Sequence, residues 1–320
     1  MDRILLADIG GTNARFALME RGDIGASQHL QVADFSGIAD AIAAFLARQG
    51  NARPGAGVLG VAGPVENNRC HITNSGWMVD GAELAKLFGL ASVHLLNDFE
   101  ALGWSLPALQ ATDLLALGAQ RQVPDAPMIV LGPGTGFGAA GFLQRPHSAV
   151  VVTEGGHVTL PANSEREAQV ITELRRRFGH VSVERVLSGS GLENLYRAIA
   201  AVDGVAAPER NAAAITDGAF DGSCAICRTT VDMFCAFLGS VAGNLALTFL
   251  ARGGVFIAGG IVPRFADRLA ETSFRQQFES KGRYDAYLRD IPTSVIITPD
   301  TSFIGLKTFF ERNVAVGGTS

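Results

Sequence analysis

Two short apolar runs folded on a glycine turn open this chain: "LADIGGTNARFAL", residues 6 to 18. The same plan returns at residues 128 to 143, "MIVLGPGTGFGAAGFL". Strand, glycine-threonine turn and strand make a hairpin unit. A chain that starts each half with that unit suggests two related α/β domains. The echo is short, so duplication and coincidence both fit it at this level.

An ordinary hairpin turn needs neither Asp8 ahead of Gly10 and Gly11 nor Thr12, Asn13 and Arg15 behind them. Without Cβ atoms, a glycine turn lets backbone N–H groups surround phosphate oxygens. Asp8 would repel phosphate directly, and its sensible partner is Mg²⁺ or the waters around it. Arg15 fits either a phosphate contact or a surface charge. The other glycine motifs are weaker. No GxxxxGK[ST] occurs, and "GFGAAG", residues 136 to 141, is followed by only a few apolar residues before Gln144, Arg145 and Pro146, where a dinucleotide fingerprint needs a helix.

At 320 residues the chain is long enough for two cores, and 48% hydrophobic with 18% charged residues is ordinary globular composition. A net charge of −5 gives no basic footprint for nucleic acid or acidic lipid. The start, "MDRILLAD", lacks the basic opening and long apolar core of a signal peptide. Residues 233 to 251, "MFCAFLGSVAGNLALTFLA", imitate a membrane span and include a GxxxG. Ser240, Asn244 and Thr248 put a polar stripe on one face, which reads as a helix crossing a domain core. Among four cysteines, Cys224 and Cys227 form a lone CxxC without a second pair or a following His. That sets zinc and redox chemistry aside and points to a reduced, cytoplasmic protein.

Strands are expected at 3–8, 13–19, 57–62 and 92–96, with Asp80 and Glu83 as a capping box for a helix ending at Gly89. Ser164 and Glu167 can start a helix running to about Phe178, and another is expected near 190–201. In "GGVFIAGGIVPRF", residues 253 to 265, an apolar strand lies between glycine pairs, and Pro263 sits near the start of a new helix.

In "VHLLNDFEA", residues 93 to 101, a strand ends abruptly in Asn97-Asp98, and ligands of open α/β sheets sit at the carboxyl ends of strands. The pair can cap the following helix. Alternatively, Asp98 serves as a general base for a hydroxyl proton while Asn97 orients the same substrate. "TEGGHVTL" places Glu154 and His157 around a glycine pair, and Glu184 lies near a helix start where capping competes as an explanation. Ser188 and Ser190 lack a GxSxG elbow. Carboxylates, an amide and an imidazole without a nucleophile suit a polyhydroxylated ligand, because each hydroxyl donates to a carboxylate and accepts from an amide.

"ADIGGTNARFAL", "ITNSGW", "LLNDFEA", "GPGTGFG", "EGGHV", "HVSVERVLSGSGLENLYR" and "GGVFIAGGIVPRF" together resemble the bacterial glucokinase family, nearly end to end and in order. That resemblance implies the two-domain, actin-like ATPase (ribonuclease H-like) α/β fold of the hexokinase–actin superfamily, with its active site in the interdomain cleft. It implies a small domain of residues 1–107 with 299–320 packing back on it, and a large domain of residues 108–298. It also implies ATP-dependent phosphorylation of D-glucose at the 6-hydroxyl, the first step of glycolysis. ATP would be the co-substrate with Mg²⁺, and Asp8 would attend the metal. The nucleotide would meet Asp8, Gly10, Gly11, Thr12 and Asn13, then Gly132, Gly134, Thr135 and Gly136, with Gly259 and Gly260 near the adenosine. Sugar-binding roles carry over to Asn97, Asp98, Glu154, His157 and Glu184, with Asp98 the catalytic base, and Asn74 lines the cleft without an assigned role. No cysteine follows His157 until Cys224, so the zinc cluster of related sugar kinases and repressors is not expected. No helix-turn-helix segment precedes the first strand, which sets a DNA-binding repressor aside. A homodimer is implied by the family alone. A kinase for another hexose, or a non-catalytic sugar sensor on the same fold, remains the alternative.

Overall fold

A computed structural model describes residues 3–72, 75–119 and 121–315. The chain divides into two compact units: Met1–Leu109 with Pro299–Ser320, and Gln110–Thr298.

The first unit is built on β1 (Arg3–Ile9), β2 (Asn13–Glu20), β3 (Asp23–Ile24), β4 (Gln28–Gln31), β5 (Ala56–Val61) and β8 (Val93–Asn97). They form one sheet ordered β3-β2-β1-β5-β8, with β4 also paired to β2. The β1–β2 hairpin is antiparallel, whereas β1, β5 and β8 run parallel. Strands covered on both faces need a continuous apolar run rather than alternation, and every residue of β5 is buried. Helix α1 (Ile38–Arg48) places Ile38, Ala41, Ile42, Phe45 and Leu46 on one buried face. Its Phe45 ring stacks on Phe16 of β2 with centroids 5.4 Å apart. A separate pair, β6 (Arg69–Ile72) and β7 (Trp77–Asp80), leads into α2 (Gly81–Phe88). Asp80 caps α2 by accepting from the N–H groups of Ala82 and Glu83, and Gly89 ends it in the left-handed conformation. After α3 (Asp98–Ser105), the C-terminal helix Thr301–Phe309 completes the unit, its Phe309 meeting Trp104 edge to face.

The second unit repeats the plan. Its sheet is ordered β12-β11-β10-β13-β14-β9, from β9 (Leu114–Ala116), β10 (Met128–Pro133), β11 (Phe137–Leu143), β12 (Ala149–Thr153), β13 (Gly254–Ile257) and β14 (Thr293–Ile296). As in the first unit, an antiparallel hairpin is followed by two parallel neighbours, β10-β13-β14 matching β1-β5-β8. The echo between the two glycine turns is therefore an echo of whole sheets. The "GFGAAG" stretch lies in the β10–β11 hairpin and opens no helix. Helices α4 (Glu165–Phe178), α5 (Gly189–Asp203) and α6 (Ala212–Phe220) start on Ser164, Ser188 and Asn211, whose side chains accept from the first turn.

Helix α7 (Ala225–Phe249) begins eight residues before the uncharged stretch that suggested it, taking in Arg228 and Asp232. Most of its apolar window is buried against the unit's own core. In its polar stripe, Ser240 is buried and accepts from Asn163 Nδ2 at 2.7 Å and from Lys281 Nζ at 3.2 Å. Asn244 and Thr248 face solvent. Pro263 does sit in the first turn of a helix, as expected, but of a 3₁₀ helix and not an α-helix. Val262–Glu271 forms tight 3₁₀ turns broken at Phe265 (φ −135°), whose side chain is buried.

Candidate active site

In the first unit, parallel register brings Ile9, Val61 and Asn97 to the same edge of the sheet. This carboxyl edge is where open α/β sheets present ligand-binding groups. Asp8 stands one residue before it, opposite Arg15 in the hairpin. Arg15 Nη2 donates to Asp8 Oδ2. Its Nη1 donates to the Pro299 carbonyl at 3.0 Å and lies 3.6 Å from Asp300 Oδ1. The Phe303 ring lies 5.8 Å from the guanidinium carbon. Arg15 thus ties the hairpin to the C-terminal segment and offsets the charge of Asp8, instead of standing free at the surface. Within the turn, the Gly10 N–H donates to the Asn13 carbonyl at 2.9 Å and the Thr12 carbonyl accepts from Val32 N–H. The Asn13 side chain accepts from Gln31 Nε2 at 2.7 Å. Gly11 and Thr12 form the tip of the turn, where Thr12 is exposed.

Asn97 realises the capping alternative. Its Oδ1 accepts from the N–H groups of Phe99 (3.0 Å) and Glu100 (3.4 Å), while Glu100 Oε2 accepts from Asn97 N–H. Its Nδ2 donates to the Gly63 carbonyl at 3.1 Å. One Nδ2 hydrogen is left for a ligand. The cap also fixes Asp98 as the first residue of α3, where Oδ1 accepts from Phe99 N–H at 3.0 Å. Burial pushes the Asp98 carboxyl up to about 6; the Phe99 N–H draws it down, the charge of Asp8 pushes it up again, and Asn97 lowers it. Burial, reinforced by the charge of Asp98, also raises the neighbouring Cys70 thiol. Asp8 and Asp98 therefore share one electrostatic environment. Asn74 lies outside the described residues.

The second unit gathers its own set around the β10–β11 turn. Gly134 N–H donates to the Gly136 carbonyl at 2.7 Å, and the Gly134 carbonyl accepts from Gly189 N–H at 2.9 Å. Gly132 lies against the backbone of Ala258 and Gly259, where a Cβ would come 2.5 Å from the Ala258 carbonyl carbon. Gly259 itself has φ +90°, and a Cβ there would stand 2.9 Å from the Pro133 carbonyl carbon. Gly132, Gly134, Thr135, Gly136, Gly259 and Gly260 are in this way drawn into one backbone-lined surface, with Thr135, Gly259 and Gly260 exposed.

Glu184 joins that surface, because its Oε2 accepts from Phe137 N–H at 2.9 Å. The Glu184 N–H in turn donates to the Gly156 carbonyl at 2.8 Å, which brings the Glu154–His157 turn alongside. Glu154 and His157 are exposed, with Oε2 and Nε2 3.8 Å apart. Glu184 is bonded to the glycine turn and not to a helix cap, and it carries one further carboxylate oxygen. Sequence reasoning placed α5 to within a residue of its start at Gly189 but missed the role of the Gly189 N–H, which meets the Gly134 carbonyl; Ser-Gly-Ser-Gly ahead of an apolar helix was the available signal. It also missed Gly63, whose carbonyl fixes the Asn97 amide and which no local pattern marks.

The chain as a whole has counterparts among known proteins. A family model described as Glucokinase matches residues 5–313. The chain belongs to the glucokinase family. It is 45% identical over 307 residues to a glucokinase of Paramagnetospirillum magneticum, an alignment covering 95% of this chain and 96% of that one. A glucokinase of Saccharophagus degradans is 37% identical over 314 residues, covering 96% and 98%. Among solved structures, a glucokinase from an Antarctic psychrotroph superposes with a TM-score of 0.91 at 38% identity, over 97% of this chain and 99% of that one. A Balamuthia mandrillaris glucokinase in complex with glucose shares the fold at TM-score 0.81 and 21% identity, covering 98% and 94%. The fold is the actin-like ATPase fold of these sugar kinases.

Proposed function

We propose that this protein transfers the γ-phosphoryl group of ATP to the 6-hydroxyl of D-glucose, giving glucose 6-phosphate in the cytoplasm. What supports the reading most, beside family membership, is Asp98: a carboxyl raised to about 6 at a sheet edge, within reach of the Asp8 charge. A base with that pKa is ionised at neutral pH yet basic enough to take a hydroxyl proton as the oxygen attacks phosphorus. Asn97, anchored by its cap and by Gly63, orients the same sugar with its remaining Nδ2 hydrogen. Glu154, His157 and the free oxygen of Glu184 supply further partners for sugar hydroxyls.

The donor set suits MgATP as substrate. Among the described residues no cluster of three or more His, Cys, Asp or Glu could hold a resident metal. Mg²⁺ that arrives on phosphates keeps most of its waters and needs one or two carboxylates. Asp8 would serve that ion through water, and the glycine turns at Gly10–Asn13 and Gly132–Gly136 would donate N–H groups to phosphate oxygens, with Gly259 and Gly260 beside the nucleoside. Alignment and neutralised charge then carry most of the acceleration, with the base contributing ~10²–10⁴-fold.

A coupled assay of ATP turnover across glucose, mannose, fructose and N-acetylglucosamine tests this. Glucose should give the highest kcat/KM. A different preferred hexose refutes the substrate, and glucose binding without turnover makes the protein a sensor. Sedimentation of the same preparation tests the homodimer that the family implies.

A further inference from the structure

Cys224 and Cys227 take no part in the site described above, yet the fold places them with unusual care. Cys224 is the N-cap of α7, and its Sγ accepts from the Cys227 N–H at 3.4 Å. The other long caps of this unit, Ser164, Ser188 and Asn211, use oxygen for that task. Cys227 follows in the first turn and is fully buried, while Cys224 keeps part of its surface open. A Cβ built on Gly218 of α6 would lie 3.2 Å from Cys224 Cβ and 3.5 Å from Cys227 Sγ, so both residues line the same small space.

Charged and polar groups converge there from three further elements. Arg210, just before α6, bonds Tyr196 of α5 and acts on both thiols, and its Nε is buried without an acceptor. Asp221 faces Arg210 and is engaged by Ser223. The two sulfurs differ as a result. Burial pulls the Cys224 thiol up, but bonds from the Cys227 side chain and N–H, with the Arg210 charge, outweigh it and hold Cys224 below the usual thiol value. Burial pushes Cys227 up to about 12, helped by its bond to Cys224 and partly offset by Arg210.

A metal does not explain the pair, because no third ligand of the Cys, His, Asp or Glu type joins it among the described residues. A structural cross-link does not explain it either, since closing so short a loop removes little entropy from the unfolded chain. We propose that Cys224 and Cys227 are an oxidisable dithiol that reacts with peroxides to form an intramolecular disulfide, Cys224 attacking and Cys227 resolving.

The chemistry balances. The Cys224 thiolate attacks one peroxide oxygen, the O–O bond breaks, and the hydroxide released takes a proton to become water. Cys224 is then a sulfenic acid, oxidised by two electrons. The Cys227 sulfur attacks that sulfur, an S–S bond replaces the S–O bond, and the departing hydroxide leaves as water with the Cys227 proton. A helix N-terminus and an adjacent guanidinium favour the attacking thiolate, and a neighbouring buried thiol protects the sulfenic acid from further oxidation.

The full chain is treated with hydrogen peroxide and digested under non-reducing conditions for mass spectrometry. The expected product is a Cys224–Cys227 cross-link, two hydrogens lighter than the dithiol and reversed by a reducing thiol. In Cys227→Ala, dimedone should label Cys224 at least ~10-fold faster than Cys70 or Cys235. Cys224→Ser keeps an oxygen N-cap and basal glucose phosphorylation, and should leave Cys227 unoxidised. The proposal is overturned if wild type keeps all four thiols under peroxide that consumes a free small thiol. It is also overturned if Cys224 goes to sulfinic acid without a cross-link, if the bond forms between chains, or if Cys224 in Cys227→Ala labels no faster than the other cysteines.

Discussion

Replacing Asp98 with Asn should abolish turnover and, at the same time, make the first unit more stable at neutral and alkaline pH. Folding carries the Asp98 carboxyl from an ordinary 3.8 to about 6. A pKa raised on folding means that the unfolded chain holds the charge more easily, so ionised Asp98 opposes folding. The cost is fully present above pH 6 and vanishes below 3.8. A rise of that size corresponds to ~3 kcal/mol, an order-of-magnitude figure. Asparagine keeps an oxygen for the Phe99 N–H and carries no charge, so it should recover much of this at pH 8, roughly half at pH 5 and little near pH 4. Trp77 and Trp104, the only two tryptophans in the chain, both lie in the first unit. Urea unfolding followed by tryptophan fluorescence therefore reads that unit directly. A variant that is less stable than wild type at pH 8, or whose gain is the same at pH 4 and pH 8, refutes the account of Asp98. Near-normal turnover in the same variant refutes its role as base, independently of stability.

Wild-type kcat/KM for glucose should fall with acidity below a pKa of about 6, approaching tenfold per pH unit, because only the ionised form of Asp98 accepts the proton; a profile flat down to pH 5 excludes it. Arg15→Ala leaves Asp8 without its ion pair, so that acidic limb should move to higher pH and glucose turnover should drop; an unmoved limb would mean that Asp8 and Asp98 do not interact. Glu184→Gln weakens a charge-assisted acceptor for Phe137 N–H, worth ~1.5–3 kcal/mol, and should raise KM for ATP roughly tenfold or more through the loosened glycine turn. A change confined to KM for glucose assigns Glu184 to the sugar alone. Gly259→Ala forces a side chain into φ +90° and against Pro133, so the second unit should lose ~2 kcal/mol or more in denaturant unfolding monitored by circular dichroism.

What the amino-acid sequence determined by itself was local. Apolar runs broken by glycine specified the β1–β2 and β10–β11 hairpins, Asp80 and Gly89 bounded α2, and Ser164 started α4, since strand pattern, capping and left-handed glycine act over a few residues. Asn97 and Asp98 were legible for the same reason, as polar residues ending an apolar strand. The short strands β9 and β14 were not, because each holds its place only by pairing with a distant neighbour. Tertiary structure alone decided that Arg15 spends its charge on Asp8 and the C-terminal segment, that Glu184 reaches across 47 positions to the second glycine turn, and that burial lifts Asp98 to about 6. It also decided that two cysteines in an unremarkable CxxC meet at a helix start, one partly open to solvent and one buried. Hydrogen bonds between remote residues and the desolvation of a charge depend on what the folded chain places around each group, and no spacing along the sequence encodes that surrounding.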